Sequence, residues 1–407
     1  MEYVQERVAT LHDLGVGTRT GIDAGGGTAS NSRPGVDSRP GLDPRAVPTG
    51  RASVVVPMTE REYAGIAAER VLSELEALDV GRVVVPLRAS ASRVGEVRDW
   101  LDGFDLPLDL LWCDGPRVAD LLADADLDGG RGKGRDVWLA LGIALDAADA
   151  EYVVLHDADT TSYSREYVRR LVFPLAHGYE FSKGYYARVE GGRLYGRLFR
   201  LFFAPLVRAL CDAHDDPLLS YLDSFRYALA GEFAATTDVA ASLRVQRTWG
   251  LEVGTLADAF AAAGFDGTAQ VDLGSYTHDH RAVSGPTGLS DMSDSVGAAL
   301  LRAVEERGVE PAYDTLPARY REAADSFVRS YATDAAFNGL DYDAADEREQ
   351  VATYAEAIGP PGADDRLPSW RETSLDPSAV GAAAAADVDA VTGADADAAT
   401  DVDDATE

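Results

Sequence analysis

The feature that most constrains this chain is a fully apolar run that ends abruptly in carboxylates, YVVLHDAD at 152–159. A strand with no polar alternation is buried on both faces, which is the signature of an inner strand of a parallel sheet. The pattern recurs at SVVVP (53–57), GRVVVPLRA (81–89) and LDLLWCDG (108–115). Between these runs lie segments with helical spacing, EYAGIAAERVLSELEAL, SRVGEVRDWLDGF and DVWLALGIALDAA. Strands alternating with helices predict an α/β fold, with a Rossmann-like, mostly parallel central sheet covered by helices on both faces. Ligands of such sheets bind at the carboxyl ends of the strands. One rim would then carry Pro57 to Glu62, Asp114 and Asp157 to Asp159.

The flanks read differently. Residues 16–50 are rich in Gly, Pro, Ser, Asp and Arg without periodicity and are expected to form a mobile linker. The triplet Gly25–Gly27 follows no strand and opens no helix, so it is not a dinucleotide fingerprint. From about residue 377 an Ala, Asp, Val and Thr tail without aromatics is expected to be disordered. The second half of the chain keeps its α/β character, with helices expected over 290–358.

Net charge is −32, with 69 acidic residues against 37 basic ones, and this argues against nucleic-acid binding because such a surface repels phosphate backbones. The excess reads as a halophile's solvating surface, and a G+C-rich genome that favours Arg codons is an equal contributing cause. Cys113 and Cys211 sit in apolar company, where a thiol behaves as a small hydrophobe. The opening MEYVQERVATLHDLG has neither the basic start nor the apolar stretch of a signal peptide. The most apolar stretch, LFRLFFAPLVRAL, is interrupted by Arg200, Pro205 and Arg208 and is too short to span a membrane. A cytoplasmic protein is expected, with monomer and homodimer both open.

Within this frame a few residues carry chemistry. Asp157 and Asp159 are one residue apart after a buried strand, and alternate residues of an extended segment face the same side. Together they suit a hard divalent cation, Mg²⁺ or Mn²⁺, with room left for phosphate oxygens. Lys133 and Lys183 are the chain's two lysines among many arginines, each beside a glycine. A compact point charge is useful against phosphate, although either could be a chance survivor. His278 and His280 form the one close pair among six histidines, and one of them could add an imidazole ligand to the cation. Glu252 interrupts the apolar run WGLEVGTL and needs either a partner or a polar ligand if buried, the alternative being an exposed helix start.

The ordered series VVVPMTEREYA, WCDGPRV, GKGRDVWLALG, LHDADT, EFSKGYYAR, GGRLYGRL, LSYLDSFRYALAGEF, WGLEVGTL and AQVDLGSYTHDH resembles the glucosyl-3-phosphoglycerate synthases over roughly residues 50–340. The resemblance implies a retaining, metal-dependent glycosyltransferase of GT-A fold that moves glucose from a nucleotide-sugar to 3-phosphoglycerate. It implies that Pro57, Met58, Thr59 and Glu60 border the nucleotide, with Asp114 on the same rim and Lys133 on the base or diphosphate side. Asp157, Asp159 and His278 match the metal and diphosphate site, and Glu252 the acidic residue at the donor sugar. Gly192, Arg193, Leu194 and Tyr195 match the phosphoglycerate loop, where Tyr195 replaces a Thr common in relatives. Arg188 and Lys183 are further cations for the anionic acceptor. On this reading residues 1–50 are an N-terminal segment and linker. Residues 51–160 form the nucleotide-sugar half of the GT-A domain, and 161–360 the acceptor half with the C-terminal helices. Residues 361–407 form the acidic tail. Uridine or guanosine donors, and glucose or mannose, stay open at this point.

Overall fold

The computed structural model describes residues 7–12, 46–277 and 288–403, with side chains outside 288–290 and 394–403. Its first half is a run of strand–helix units. Strand β1 is Ala9–Leu11, β2 Ala52–Val55 and β3 Met58–Thr59, followed by helix α1 (Ile66–Glu76). Then come β4 (Arg82–Arg88), α2 (Ala91–Leu101), β5 (Leu108–Trp112), α3 (Pro116–Asp124), α4 (Lys133–Leu145) and β6 (Tyr152–Leu155). The second half holds α5 (Glu166–Leu175), β7 (Phe181–Ala187) and the hairpin β8 (Val189–Glu190) and β9 (Arg193–Leu194). A π-helical stretch, Leu198–Phe203, leads into α6 (Ala204–Cys211) and α7 (Pro217–Leu222). After these come β10 (Phe233–Thr236), α8 (Thr237–Ser242), α9 (Leu251–Ala263) and β11 (Thr268–Ser275). Helices α10 (Gly288–Glu305), α11 (Leu316–Asn338), α12 (Ala344–Tyr354) and α13 (Pro377–Asp403) close the chain.

The main sheet runs β1-β11-β7-β10-β6-β2-β4-β3, with β5 also paired to β4. All of its pairs are parallel except those made by β10, which is antiparallel to both β6 and β7. The continuous apolar runs are explained by the pleat. Val55, Val84, Val153 and Leu155 enter the core on one face, while Val54, Val83, Val85 and Val154 enter the other. Each fully buried valine or leucine of this kind contributes about 1.5–3 kcal/mol.

Residues 9–11, upstream of the expected linker, pair in parallel with β11, and Gln270 Nε2 donates to Thr10 Oγ1 at 2.9 Å. Residues 16–45 of that linker lie outside the described residues. The expectation of a disordered tail is corrected. The tail from 377 is a helix, α13, which packs on α2, α3, α4 and β5. Val380, Ala384 and Val388, four residues apart, are buried on its inner side. Small alanines let this helix lie close to the sheet's edge, and composition alone conceals that stripe. The preceding segment is anchored as well. Trp370 stacks on Trp138 at 4.4 Å, and Trp138 Nε1 donates to the Pro368 carbonyl at 2.7 Å.

Candidate active site

Strand β6 ends at Leu155, and the next residues form the floor of a cleft of ≈1080 Å³ along the carboxyl edge of the sheet. His156 is buried, its Nε2 2.9 Å from the Tyr163 hydroxyl, and burial pushes its pKa down to about 4. Asp157 and Asp159 both line the cleft, while Ala158 between them is buried. The alternation expected from an extended segment therefore holds. Asp157 Oδ1 lies 2.5 Å from Lys133 Nζ, and Glu252 Oε1 lies 3.7 Å from the same nitrogen. Asp159 Oδ1 accepts from the Tyr276 hydroxyl at 2.7 Å. A Cβ at Gly231 would stand 2.5 Å from Asp157 Oδ2, so this position admits only a glycine without displacing the carboxylate.

Local sequence sets these positions. Lys133 is the first residue of α4, after Gly132, so its ammonium enters the cleft from a helix start. Glu252 sits in the first turn of α9 after Gly250, whose φ of 93° is the left-handed conformation that glycine tolerates. Glu252 lies at a helix start but is only 17% exposed and has an ion-pair partner, so the reading as a largely buried acid that needs a partner holds and the exposed helix start does not. Burial alone would lower the Lys133 pKa, but Asp157 and Glu252 override it and hold the ammonium well above its ordinary value.

The residues expected on the nucleotide side, Pro57, Met58, Thr59, Glu60, Asp114 and Lys133, all line the cleft. Asp114 Oδ1 accepts from Arg135 at 3.0 Å and from Arg131 at 3.3 Å. Glu60 accepts from the Ser90 backbone at 3.0 Å and its hydroxyl at 2.9 Å, which lowers its pKa and leaves it braced against the start of α2. Thr59 donates its N–H and hydroxyl to Glu62.

The acceptor-side expectations divide. Arg188 lines the cleft, with its guanidinium 5.5 Å from the Tyr276 ring and 3.4 Å from the Tyr227 hydroxyl. Its Nε is buried without a hydrogen-bond partner among the described residues. Gly192, Arg193, Leu194 and Tyr195 lie on the β8–β9 hairpin, outside the lining of the cleft, with Arg193 exposed. The Gly192 carbonyl is held by Asp341 N at 2.8 Å. Lys183 is corrected. It is only 1% exposed, does not line the cleft, and donates from beneath the floor to the Ala230 carbonyl. Burial pushes its pKa down to about 8. A position inside β7 points alternate residues into the core, and the neighbouring Gly184 belongs to the same strand. His278 and His280 lie outside the described residues.

Several cleft residues escaped the sequence reading. Tyr186 and Tyr276 stack at 4.4 Å beside Arg188, and Trp112, Arg131 and Trp249 line the walls. Glu232, fully buried after Gly231, has both carboxylate oxygens without a hydrogen-bond partner among the described residues. Burial and the charge of Asp157 raise its pKa against the pull of Lys133 and Lys183. An acid interrupting the apolar run ALAGEFAA was the available signal, the same one that marked Glu252.

Asp157 and Asp159 fit a hard divalent cation, being two carboxylates from alternate residues that open on one cleft, with Asp157 about a quarter exposed. Among the described residues no group of three or more His, Cys, Asp and Glu is gathered as a metal cluster. A third protein ligand would have to come from elsewhere.

The chain is 32% identical over 395 residues to the glucosyl-3-phosphoglycerate synthase of Methanococcoides burtonii, covering 91% of this chain and 93% of that protein. It is 35% identical over 321 residues to the synthase of Persephonella marina, covering 75% and 79%. The chain belongs to the glucosyl-3-phosphoglycerate synthase family. It is a glycosyltransferase. A crystal structure of the Mycobacterium tuberculosis synthase, in complex with Mn²⁺, UDP-glucose and phosphoglyceric acid, matches with a TM-score of 0.50 and 26% identity. That match covers 67% of this chain and 87% of the other. No family model matches the chain. Among the described residues no helix is long and apolar enough to cross a membrane.

Proposed function

We propose that this family member transfers glucose from UDP-glucose to 3-phosphoglycerate with retention of configuration, giving glucosyl-3-phosphoglycerate for compatible-solute synthesis in the cytoplasm. The observation that carries the reading is a single cleft lined both by the Lys133, Asp157 and Glu252 cluster and by the Arg188 guanidinium, whose buried Nε has no hydrogen-bond partner among the described residues.

In this reading Asp157 and Asp159, with His278, hold Mn²⁺ or Mg²⁺, which supplies charge neutralisation to the departing diphosphate. Lys133 adds a fixed cation beside the same phosphates. Pro57 to Glu60 and Asp114 orient the nucleoside, with Asp114 kept in place by Arg131 and Arg135. Glu252 accepts hydrogen bonds from the donor sugar hydroxyls. Arg188 takes an acceptor oxyanion, and Arg193 on the adjoining hairpin takes a second, each guanidinium offering a planar fork. The acceptor hydroxyl attacks the anomeric carbon on the face the diphosphate leaves, and its proton passes to the departing phosphate oxygen. No carboxylate nucleophile is assigned, because Asp157 and Glu252 are both engaged by Lys133.

The test is release of nucleoside diphosphate with and without 3-phosphoglycerate, using UDP-glucose, GDP-glucose and GDP-mannose in turn, with the product identified by mass spectrometry. Acceptor-dependent release from UDP-glucose is the expected result. Release from GDP-mannose alone, or release that ignores the acceptor, would overturn the assignment.

A further inference from the structure

Helix α3 begins immediately after the cleft residues Trp112 and Asp114, and its N-cap position is Gly115, which offers no side chain to the free backbone amides. A helix start needs such a partner, because its first amides have no carbonyl within the helix. Here the partner comes from 270 residues further along. Asp387, in the middle of α13, has a fully buried side chain. Its Oδ2 accepts from Arg117 N at 2.9 Å and Val118 N at 3.2 Å, and its Oδ1 accepts from Arg117 Nη1 at 2.9 Å. A Cβ at residue 115 would stand 2.3 Å from Asp387 Oδ2, so the glycine makes room for the carboxylate.

The same helix grips a second wall of the cleft. Arg98 of α2 donates to Asp389 at 2.9 Å and to the Thr392 hydroxyl at 3.0 Å. The start of α2, Ser90 and Ala91, lines the cleft on the side of Glu60. Helix α13 therefore ties together two elements whose near ends carry the nucleotide-side lining. Among the described residues its main packing partners are α2, α3, α4 and β5, whereas Arg188 follows β7.

We propose that Asp387 is a positioning residue for the nucleotide-sugar: by capping α3 from the C-terminal helix it fixes the Trp112–Asp114 turn against which the nucleoside is held. The inference rests on the donor site argued above. Asp387 does not touch the cleft, so its effect is transmitted through the backbone of residues 112–118. Two consequences distinguish this from mere support of the fold. Loss of the carboxylate weakens nucleotide binding and leaves acceptor use unchanged. Residue 115 and residue 387 act as one unit, because a methyl at 115 expels the carboxylate from its place.

The experiment measures UDP and UDP-glucose binding to the full-length protein by calorimetry, and the KM for each substrate, in wild type, Asp387→Ala, Gly115→Ala and the double variant. Thermal melts confirm that each variant is folded at the assay temperature. Each single variant is expected to raise the dissociation constant for UDP about three- to tenfold, the order of a lost helix cap. The acceptor KM, and kcat at saturating donor, stay within about twofold. The double variant is expected to be no weaker than the worse single variant, since both remove the same contact. Folded variants with wild-type UDP affinity, or equal losses toward donor and acceptor, would overturn the inference while leaving the donor site standing. Additive losses in the double variant would overturn it too. Absence of UDP binding in the wild type would instead strike the donor assignment itself.

Discussion

Replacing Lys133 by Met removes the ammonium that pairs with both Asp157 and Glu252 and leaves a similar volume behind. Breaking a buried ion pair costs about 3–5 kcal/mol, because the remaining charge keeps its desolvation penalty. These side chains are 17–25% exposed, and solvent screening reduces the cost to about 2 kcal/mol. For a domain of this length 1 kcal/mol moves Tm by about 2 °C, so the variant in chelator should melt about 4 °C lower. A divalent cation reverses the comparison. In the wild type it must displace the ammonium from Asp157, whereas in the variant it meets carboxylates that have already lost that ammonium. A hundredfold excess over Kd stabilises by about 2.7 kcal/mol. Adding Mn²⁺ should therefore raise Tm further in Lys133→Met than in the wild type, in a melt at fixed ionic strength. Turnover should still fall, with a higher UDP-glucose KM, since the diphosphate loses its fixed cation. Equal Mn²⁺ shifts in both proteins, or no destabilisation in chelator, would refute the view that one lysine and one metal compete for Asp157.

Asp159→Ala should abolish turnover with little change in Tm, because its carboxylate lines the cleft, accepting from the Tyr276 hydroxyl, and is not part of the β6 core; a circular-dichroism melt alongside the assay checks this. Arg188→Ala should lower acceptor kcat/KM by about 10- to 100-fold with a steady donor KM, the loss of one or two charge-assisted hydrogen bonds. Arg193→Lys keeps the charge but loses the fork, so acceptor kinetics should weaken measurably while donor kinetics do not move. Deleting residues 377–407 should lower Tm, since Val380, Ala384 and Val388 leave the core with the helix. Asp364, bonded to Arg366, has its pKa lowered to about 2. Its stabilisation is present above the ordinary carboxylate pKa and is lost as pH falls through about 2. Acid melts of Asp364→Asn should thus be shallower than wild type between pH 4 and 2.

The sequence was most legible where a residue's environment is set within a few positions of itself. A strand apolar at every position demands burial on both faces, and β2, β4 and β6 alternate between two cores as that requires. The D-x-D carboxylates and Glu252 were legible for a related reason: an acid at the end of, or inside, an apolar run must meet a partner, and Lys133 is that partner for Asp157 and Glu252. Lys183 fails this logic: the scarcity of lysine points to a point charge against phosphate, whereas the strand pleat turns its side chain inward to Ala230. Glu232 interrupts an apolar run as Glu252 does, yet both its oxygens are buried without a hydrogen-bond partner among the described residues, so the same cue does not predict a partner. Helix α13 lay beyond local reasoning altogether. Its alanines are uninformative as burial signals, since a residue that loses almost no rotamer freedom is content in water or against a sheet. What decides its state is Asp387 meeting the amides of α3 and Arg98 meeting Asp389, contacts about 270 and 291 residues apart in sequence. Composition assigned this segment to solvent because its solvating acidic residues share the helix with the two acids that dock it, Asp387 and Asp389.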